Sequence, residues 1–254
     1  WQPKLQEIAK KNGLDFFSSP FDKEGVDFLE TLHVPKYKIA SFEITDIPLI
    51  HYTASKGKPI IISTGMAEID DINLAVDTCH DAGNHDFILL KCTSDYPATI
   101  EDANLLTIPD MKVRFGVQVG VSDHTMGSTV PVAAVCLGAK VVEKHFILQR
   151  SMGGPDAAFS MEPEEFKQMV NDVRRTEKAL GKIKYEVKDN DKLRRRSLFV
   201  TEDVESGTKV THNNLRSVRP GYGLHPQNLN SVLGKTFTED VKKGTPFRNK
   251  MIGK

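Results

Sequence analysis

The sequence predicts an α/β protein, a (β/α)8 TIM barrel followed by a small, mostly β domain. Six short apolar runs recur about every 20–30 residues, which is the length of one βα unit in such a barrel. The runs are continuously apolar rather than alternating, as is typical of strands buried on both faces of a parallel sheet. Each run ends in polar residues, and the carboxyl ends of barrel strands are where functional groups gather.

The predicted strands alternate with helix patterns along the chain. With the polar residues that close them, the apolar runs span residues 16–20, 37–41, 59–65, 87–93, 117–122 and 141–146. Helical spacing of apolar residues predicts helices over 23–32, 68–82, 128–137 and 164–180. Such alternation indicates βα units. A doubly wound sheet has a similar period and is the alternative fold, but it places its ligand at one switch point rather than at every strand end.

The strand count and the first residues lead to an expectation about the barrel. Six units are two short of a barrel, and residues 2–13 have the pattern of the second half of an amphipathic helix that ends at Gly13. We therefore expect the first two βα units to precede Trp1. The barrel domain, N-terminally incomplete, is predicted over residues 1–183.

A second domain is predicted where the composition changes after Gly181. Residues 184–196 are charged and lack an apolar stripe, so a linker is expected there, with its basic run 192–196 solvated. Residues 197–254 carry strand signals at 197–200, 218–223 and 242–245, and a turn at 205–207. A domain of this length is near the lower limit for folding alone.

Composition excludes several classes of protein. The 254 residues are 39% hydrophobic and 27% charged, as in a globular chain, and Lys+Arg and Asp+Glu both total 34. This balance gives no general attraction to nucleic acid or to an anionic membrane, and no apolar run approaches the ~20 residues of a membrane helix. Three scattered cysteines in apolar segments favour a reduced, cytoplasmic protein over a disulfide framework.

Two histidines follow the last two predicted strands. His124 and His145 each have a carboxylate nearby, Asp123 and Glu143 respectively. A lone histidine is more often a hydrogen-bonded core or loop residue, and that alternative stays open. Two imidazoles at adjacent strand ends could share one divalent metal and leave positions for water and substrate oxygen. That arrangement suits Mn²⁺ or Mg²⁺ as a Lewis acid better than a closed zinc site.

Further polar residues at strand ends predict a site for a phosphorylated ligand. A cation with several hydroxyl donors is a phosphate-binding set, and the chain places such groups at Ser19, Lys38, Ser41, Ser63 and Ser122. Any one serine could instead be a turn or N-cap residue. Lys91 follows four apolar residues and could point into the barrel or reach the surface.

Three acidic residues and one arginine complete the candidates. Glu43 and Glu143 could act as acid/base groups or hold a ligand in place. Asp156 lies in a Gly-Gly-Pro-Asp loop that could approach a ligand closely, and Arg219 lies in an Arg-Pro-Gly turn. An ordinary turn and a surface arginine are the alternatives.

Six motifs together resemble the sialic acid synthase family, whose members condense phosphoenolpyruvate with an amino sugar to make nonulosonic acids. They are Tyr-Lys-Ile-Ala-Ser (37–41), Ile-Ser-Thr-Gly-Met (62–66), Ser-Asp-His-Thr (122–125), Glu-Lys-His-Phe (143–146), Gly-Pro-Asp (154–156) and Arg-Pro-Gly (219–221). Phe-Ser-Ser-Pro-Phe-Asp (17–22) and Gly-Asn-His-Asp (83–86) resemble the pseudaminic acid synthase branch. Ser19 and Ser94, where the sialic acid branch tends to have Thr and Asn, favour the same branch. The C-terminal segment resembles an antifreeze-like (SAF) domain.

The resemblance implies a role for each candidate. It implies a divalent metal, Mn²⁺ or Mg²⁺, on His124 and His145, and further site residues on strands that precede Trp1. The phosphoenolpyruvate ligands would be Ser19, Lys38, Ser41, Ser63 and Ser122. The sugar would contact Glu43, Tyr96 and Asp156, and Lys91, Ser94 and Glu143 would complete the substrate-binding set. Arg219 would reach into the partner's site in a domain-swapped homodimer.

The implied reaction joins carbon 3 of phosphoenolpyruvate to the sugar aldehyde, adds water at carbon 2 and expels phosphate by C–O cleavage. Lys38, Glu43 and Asp156 would be the catalytic residues, and the sugar would be 2,4-diacetamido-2,4,6-trideoxy-L-altrose. Two alternatives stay open. One is an N-acetylneuraminate or legionaminate synthase, and the other is a non-catalytic sugar-phosphate binding protein.

Overall fold

A computed structural model describes residues 1–253, which form two compact units, Trp1–Gly181 and a second that starts at Lys182. The first unit contains a five-stranded parallel sheet in the consecutive order β1-β2-β3-β4-β5. The strands are β1 (Tyr37–Ile39), β2 (Ile60–Ser63), β3 (Phe87–Cys92), β4 (Gln118–Asp123) and β5 (Val142–Lys144). The predicted α/β class with a parallel sheet is confirmed. A doubly wound sheet reverses its strand order at one point, and the strand order within residues 1–253 shows no such reversal.

Seven helices accompany this sheet, and five of them contribute buried residues to the core on one of its faces. They are α1 (Gln2–Lys11), α2 (Lys23–Thr31), α3 (Ile47–Ala54), α4 (Ile69–Asp81), α5 (Thr107–Phe115), α6 (Thr129–Cys136) and α7 (Pro163–Leu180). Five of them, including α1, match the predicted helices within two residues at each end. Asp22 caps α2 by accepting the Gly25 N–H at 2.6 Å, which confirms its predicted N-cap role. The sequence analysis did not predict α3 and α5.

The prediction of a strand at residues 16–20 is wrong. This segment makes one backbone contact with its neighbour, in which the Lys38 N–H donates to the Ser18 carbonyl at 3.3 Å. A strand requires hydrogen bonds that repeat in register, and composition alone does not supply a partner. The described part of the barrel therefore contains five of the predicted six strands.

The two faces of the sheet differ in chemistry. Tyr37, Ile39, Ile60 and Ile62 are fully buried and pack with the helices in the main hydrophobic core. Successive side chains of a strand point to opposite faces, so Lys38, between Tyr37 and Ile39, points to the other face. At the carboxyl ends of the strands that other face becomes polar, and the candidate site lies there.

The second unit is small and mostly irregular. It contains an antiparallel pair, β6 (Ser197–Val200) and β7 (Leu215–Val218), and two single-turn helices, α8 (Asp189–Lys192) and α9 (Leu229–Val232). Leu198, Phe237 and Phe247 lie in its own core. No helix among residues 1–253 is long and apolar enough to cross a membrane.

Three predictions for this unit need correction. The strand predicted at 218–223 lies earlier in the chain, because β7 ends at Val218 and residues 219–223 form turns and bends. The segment 242–245 forms no strand, only isolated bridges at its neighbours Val241 and Pro246. The predicted linker contains α8, although its basic run 192–196 is exposed as expected. The domain boundaries at 183 and 196 stay a prediction.

Candidate active site

The carboxyl ends of the strands surround a cleft of about 230 Å³. Nine predicted residues line it: Ser19, Lys38, Ser41, Ser63, Tyr96, Ser122, His124, Glu143 and His145. Ala40, Phe42 and Cys92 complete the lining. The convergence follows from the parallel sheet, because neighbouring strands present their carboxyl ends at the same edge.

Lys38 provides the buried cation of the cleft. Its side chain is 9% exposed, and its ammonium donates to Ser63 Oγ at 2.7 Å and to the Ile39 carbonyl at 2.9 Å. Burial lowers the pKa of Lys38, and the Glu143 carboxylate, 3.7 Å away, opposes that shift. A further anion in the cleft would therefore favour the protonated lysine.

Glu143 connects Lys38 to the far side of the cleft. Its Oε1 accepts the Ser122 hydroxyl at 2.6 Å, while its Oε2 lies near Lys38. Ser122 and Glu143 are register partners on β4 and β5, so the sheet itself sets their separation. The contacts of Glu143 with Lys38 and Ser122 therefore link β1, β4 and β5 across the cleft.

The two histidines lie side by side, with ring centroids 5.2 Å apart. His124 Nδ1 is 2.7 Å from the Thr93 carbonyl, and His145 Nδ1 is 3.7 Å from Asp156 Oδ2. Burial tends to lower the pKa of His124, but hydrogen bonds to Cys92 and to the Thr93 carbonyl outweigh it and raise the pKa. Burial and the neighbouring His124 charge lower the pKa of His145.

Aromatic rings close one side of the histidine pair. The Tyr96 ring lies 4.3 Å from His124, and Phe159 lies 4.9 Å from His145 and 5.6 Å from Tyr96, measured between centroids. Phe159 is 3% exposed and was not among the predicted site residues. Its position in the loop that follows Asp156 was the only sequence signal for it.

Two predicted carboxylates lie at the margin of the cleft. Glu43 is half-buried, and its Oε2 is buried without a hydrogen-bond partner among residues 1–253. Its charge also favours protonated Lys38. The side chain of Asp156 is 58% exposed beside His145. Asp156 is accessible to a ligand, whereas Glu43 Oε2 is a buried acceptor without a donor among residues 1–253.

The structure does not bring all predicted residues into the cleft. Lys91 donates to Thr93 Oγ1 at 2.6 Å and to the Asp102 carbonyl at 3.3 Å, away from the cleft lining. Ser94 lies beneath the cleft, with its Oγ 3.7 Å from Cys92 Sγ. Arg219 is exposed in the second unit. Roles for these residues stay predictions.

Comparison with known proteins shows which family the chain belongs to. Residues 1–185 match the NeuB family, and residues 195–253 match the SAF domain. The chain belongs to the NeuB family. Among its relatives, the pseudaminic acid synthase of Helicobacter pylori is 44% identical over 97% of this chain and 74% of that protein. The N,N'-diacetyllegionaminic acid synthase of Legionella pneumophila is 39% identical over 95% of this chain and 70% of that protein.

A solved relative supports the fold of this NeuB-family chain. The crystal structure of the spore coat polysaccharide biosynthesis protein SpsE of Bacillus subtilis is 31% identical, with a TM-score of 0.68. The match covers 99% of this chain and 76% of that one. The parallel sheet and the small SAF region therefore belong to one known family architecture, of which the barrel is partly represented in residues 1–253.

Cys92 is a cleft residue of this NeuB-family chain that the sequence analysis missed. It is the register partner of Ser122, so the two side chains share the cleft face, whereas Lys91 points to the opposite face. Burial raises the pKa of the Cys92 thiol, but hydrogen bonds with His124, Ser41, Ser94 and Ser122 outweigh it and bring the pKa to about 7. No signal within the apolar run identifies Cys92, because only its register with Ser122 shows which face it occupies.

The histidine pair fits a metal with few protein ligands. Among residues 1–253, no three His, Cys, Asp or Glu side chains are grouped to hold an ion. His124 Nδ1 nevertheless lies 2.7 Å from the Thr93 carbonyl, the usual arrangement that orients a ligating imidazole, and His145 Nδ1 lies 3.7 Å from Asp156 Oδ2. Two imidazole donors would leave the other coordination positions to water and substrate.

Proposed function

We propose that this chain is a pseudaminic acid synthase, which condenses phosphoenolpyruvate with 2,4-diacetamido-2,4,6-trideoxy-L-altrose to give a nonulosonic acid and phosphate. The observation that carries the proposal is a buried ammonium, Lys38, bonded to Ser63 beside a pair of histidines in one cleft. The 44% identity to the Helicobacter pylori enzyme supports the choice of sugar.

The anion-binding half of the cleft suits phosphoenolpyruvate. Burial destabilises the charged form of Lys38, and a phosphate or carboxylate would offset that penalty through charge-assisted hydrogen bonds. Ser41, Ser63 and Ser122 are each almost fully buried and add hydroxyl donors around the same point. Ser19 extends this set on the outer side of the cleft.

The other half of the cleft suits an aldehyde. His124 and His145 would hold the divalent metal, Mn²⁺ or Mg²⁺, which when bound supplies Lewis-acid polarisation of a carbonyl oxygen. Glu43 or Asp156 would deliver the proton that the aldehyde oxygen acquires as carbon 3 of phosphoenolpyruvate bonds to the aldehyde carbon. Water then adds to carbon 2 and returns a proton to that carboxylate. The carbon 2–oxygen bond to phosphate breaks as the new hydroxyl becomes the carbonyl, and its proton leaves with phosphate.

The proposed reaction is tested by assaying the purified protein with Mn²⁺, phosphoenolpyruvate and one of two sugars. We expect phosphate release and nonulosonic acid with the altrose substrate, and far slower turnover with N-acetylmannosamine. Phosphoenolpyruvate labelled with ¹⁸O in the bridging position should yield labelled phosphate, because the C–O bond breaks. Preference for N-acetylmannosamine or a legionaminic precursor would favour the related synthases, and binding without phosphate release would favour a sugar-phosphate binding protein.

A matched pair of variants tests the histidine roles. His124→Ala/His145→Ala should abolish metal-dependent turnover, whereas His33→Ala, a change at a histidine outside the cleft, should leave it unchanged. Undiminished activity of the double variant would contradict the metal assignment.

The proposal includes a domain-swapped homodimer in the cytoplasm. The exposure of Arg219 supports the dimer. The location is supported by three unpaired thiols, those of Cys79, Cys92 and Cys136. Arg219→Ala and His124→Ala proteins, unfolded and refolded together, should recover activity that neither has alone, because mixed dimers contain one intact site. Absence of recovery would contradict action of Arg219 across the dimer.

A further inference from the structure

A buried ion pair lies behind the two histidines, on the face of the sheet opposite the cleft. Lys144 Nζ and Asp123 Oδ2 are 2.6 Å apart, and each side chain is 1% exposed. The two residues are register partners on β5 and β4. Each immediately precedes a histidine of the cleft, so the pair joins the two strands one residue before His124 and His145.

The same ion pair also holds the backbone of Thr125, the residue that follows His124. Asp123 Oδ1 accepts the Thr125 N–H at 2.9 Å, and Lys144 donates to the Thr125 carbonyl. Both polar groups of the Thr125 backbone are therefore held by the ion pair. The His124 carbonyl accepts the Ala98 N–H at 3.1 Å, which holds the intervening residue from another direction.

Stability alone does not explain this arrangement. Burying two charges costs desolvation energy, and apolar residues of similar size are often equally or more stabilising at such positions. A buried pair does, however, allow only one relative position of the groups that it bonds. Orientation of ligating side chains by neighbouring bonded groups is a strong determinant of metal affinity.

We infer that Asp123 and Lys144 are positioning residues, which hold His124 and His145 at the separation that one metal ion requires. This inference rests on the proposed metal role of the two histidines. The pair does not line the cleft. It acts through the backbone of residues 123–125 and through the register of β4 and β5.

The test compares two double variants, chosen because neither leaves a lone buried charge. Asp123→Leu/Lys144→Met removes every bond of the pair, whereas Asp123→Asn/Lys144→Met retains an oxygen that can accept the Thr125 N–H. A matched control removes a second ion pair, Lys58–Glu30, by Lys58→Met/Glu30→Leu. In that pair, Lys58 precedes β2 and Glu30 lies in α2. Lys58 is therefore at the amino end of its strand, whereas the cleft lies at the carboxyl ends.

Mn²⁺ binding is measured by calorimetry, and folding by thermal unfolding of the metal-free protein. We expect Asp123→Leu/Lys144→Met to fold and to bind Mn²⁺ about 10–100-fold more weakly, in line with losses of ligand-orienting groups. Asp123→Asn/Lys144→Met should show a smaller loss, and the control pair should bind as the parent does.

The contrary outcomes separate the inference from the proposed function. Mn²⁺ affinity within twofold of the parent in Asp123→Leu/Lys144→Met, or an equal loss in the control pair, would overturn the positioning role alone. Unchanged Mn²⁺ affinity in His124→Ala/His145→Ala would overturn the metal site, and the positioning role with it.

Discussion

Lys38 and Glu143 lie on the first and last described strands of the sheet, with Lys38 Nζ 3.7 Å from Glu143 Oε2. Glu143 also accepts the Ser122 hydroxyl, so one carboxylate organises both the cation and a hydroxyl of the proposed phosphoenolpyruvate site. The ammonium is thus held in place before any substrate arrives, which reduces the ordering cost of binding.

Lys38→Met should lower kcat/KM for phosphoenolpyruvate by about 100-fold or more, because one or two charge-assisted hydrogen bonds are lost. Lys91→Met changes the same residue type on β3, where the side chain points to the opposite face of the sheet, and we expect less than about a tenfold loss. Steady-state kinetics with varied phosphoenolpyruvate checks both. Equal losses in the two variants would show that Lys91 also serves the cleft.

Gly65→Ala should disturb the floor of the cleft. A Cβ atom there would lie 2.9 Å from Cys92 Sγ and 3.0 Å from Ser41 Oγ, and it would also meet Ser94. Crowding of this kind costs about 1–3 kcal/mol or displaces its neighbours, so we expect a raised KM for phosphoenolpyruvate and a lower Tm. The control is Gly253→Ala, where the nearest atom is 3.8 Å away. A Gly65→Ala enzyme with parental KM and Tm would show that the neighbouring side chains move aside without cost.

Alkylation of the metal-free protein should distinguish the buried thiols. The Cys92 pKa of about 7 predicts that its reaction with iodoacetamide rises through pH 7. Burial raises the pKa of Cys79 to about 11, so Cys79 should react only near that pH. A Cys136→Ser background removes the exposed thiol, and peptide mass spectrometry follows each site. Identical pH profiles for Cys92 and Cys79 would contradict the role of the cleft hydrogen bonds.

Acid should weaken the contact between Arg150 and Glu165. Hydrogen bonding from Arg150, with the Glu162 N–H, lowers the pKa of Glu165 from 4.5 to about 2. A depressed carboxyl pKa contributes stability above the unfolded value of 4.5, and this contribution is lost as pH falls toward 2. Glu165→Gln should therefore lower Tm most at pH 5–7, and the difference from the parent should shrink toward pH 3. Glu164→Gln, at an exposed position, should show no such trend.

Much of the fold follows from local pattern. Five helices and the five strands of the parallel sheet lie where apolar spacing and terminal glycines predict them, because amphipathic periodicity and glycine at positive φ are properties of short segments. The segment 16–20 is the counterexample. It has the composition of a strand, but pairing is decided by a neighbouring chain and not by the run itself.

Some residues of the candidate site could likewise be predicted from local sequence, and others could not. Residue type and position after an apolar run were enough to select Lys38, Ser63, Ser122 and the two histidines. They were not enough to choose between Lys91 and Cys92, since an apolar run on both sides of a residue hides which face it occupies. Register with Ser122 on β4 makes that choice.

Local sequence therefore determines which groups stand at the strand ends of this NeuB-family chain, because strand termination and polar composition are encoded within a few residues. The direction of each side chain, and the buried link between Asp123 and Lys144, depend on which residue of the next strand lies opposite. That register is a property of the assembled sheet, and it is what brings a cation, its hydroxyl partners and two imidazoles into one cleft.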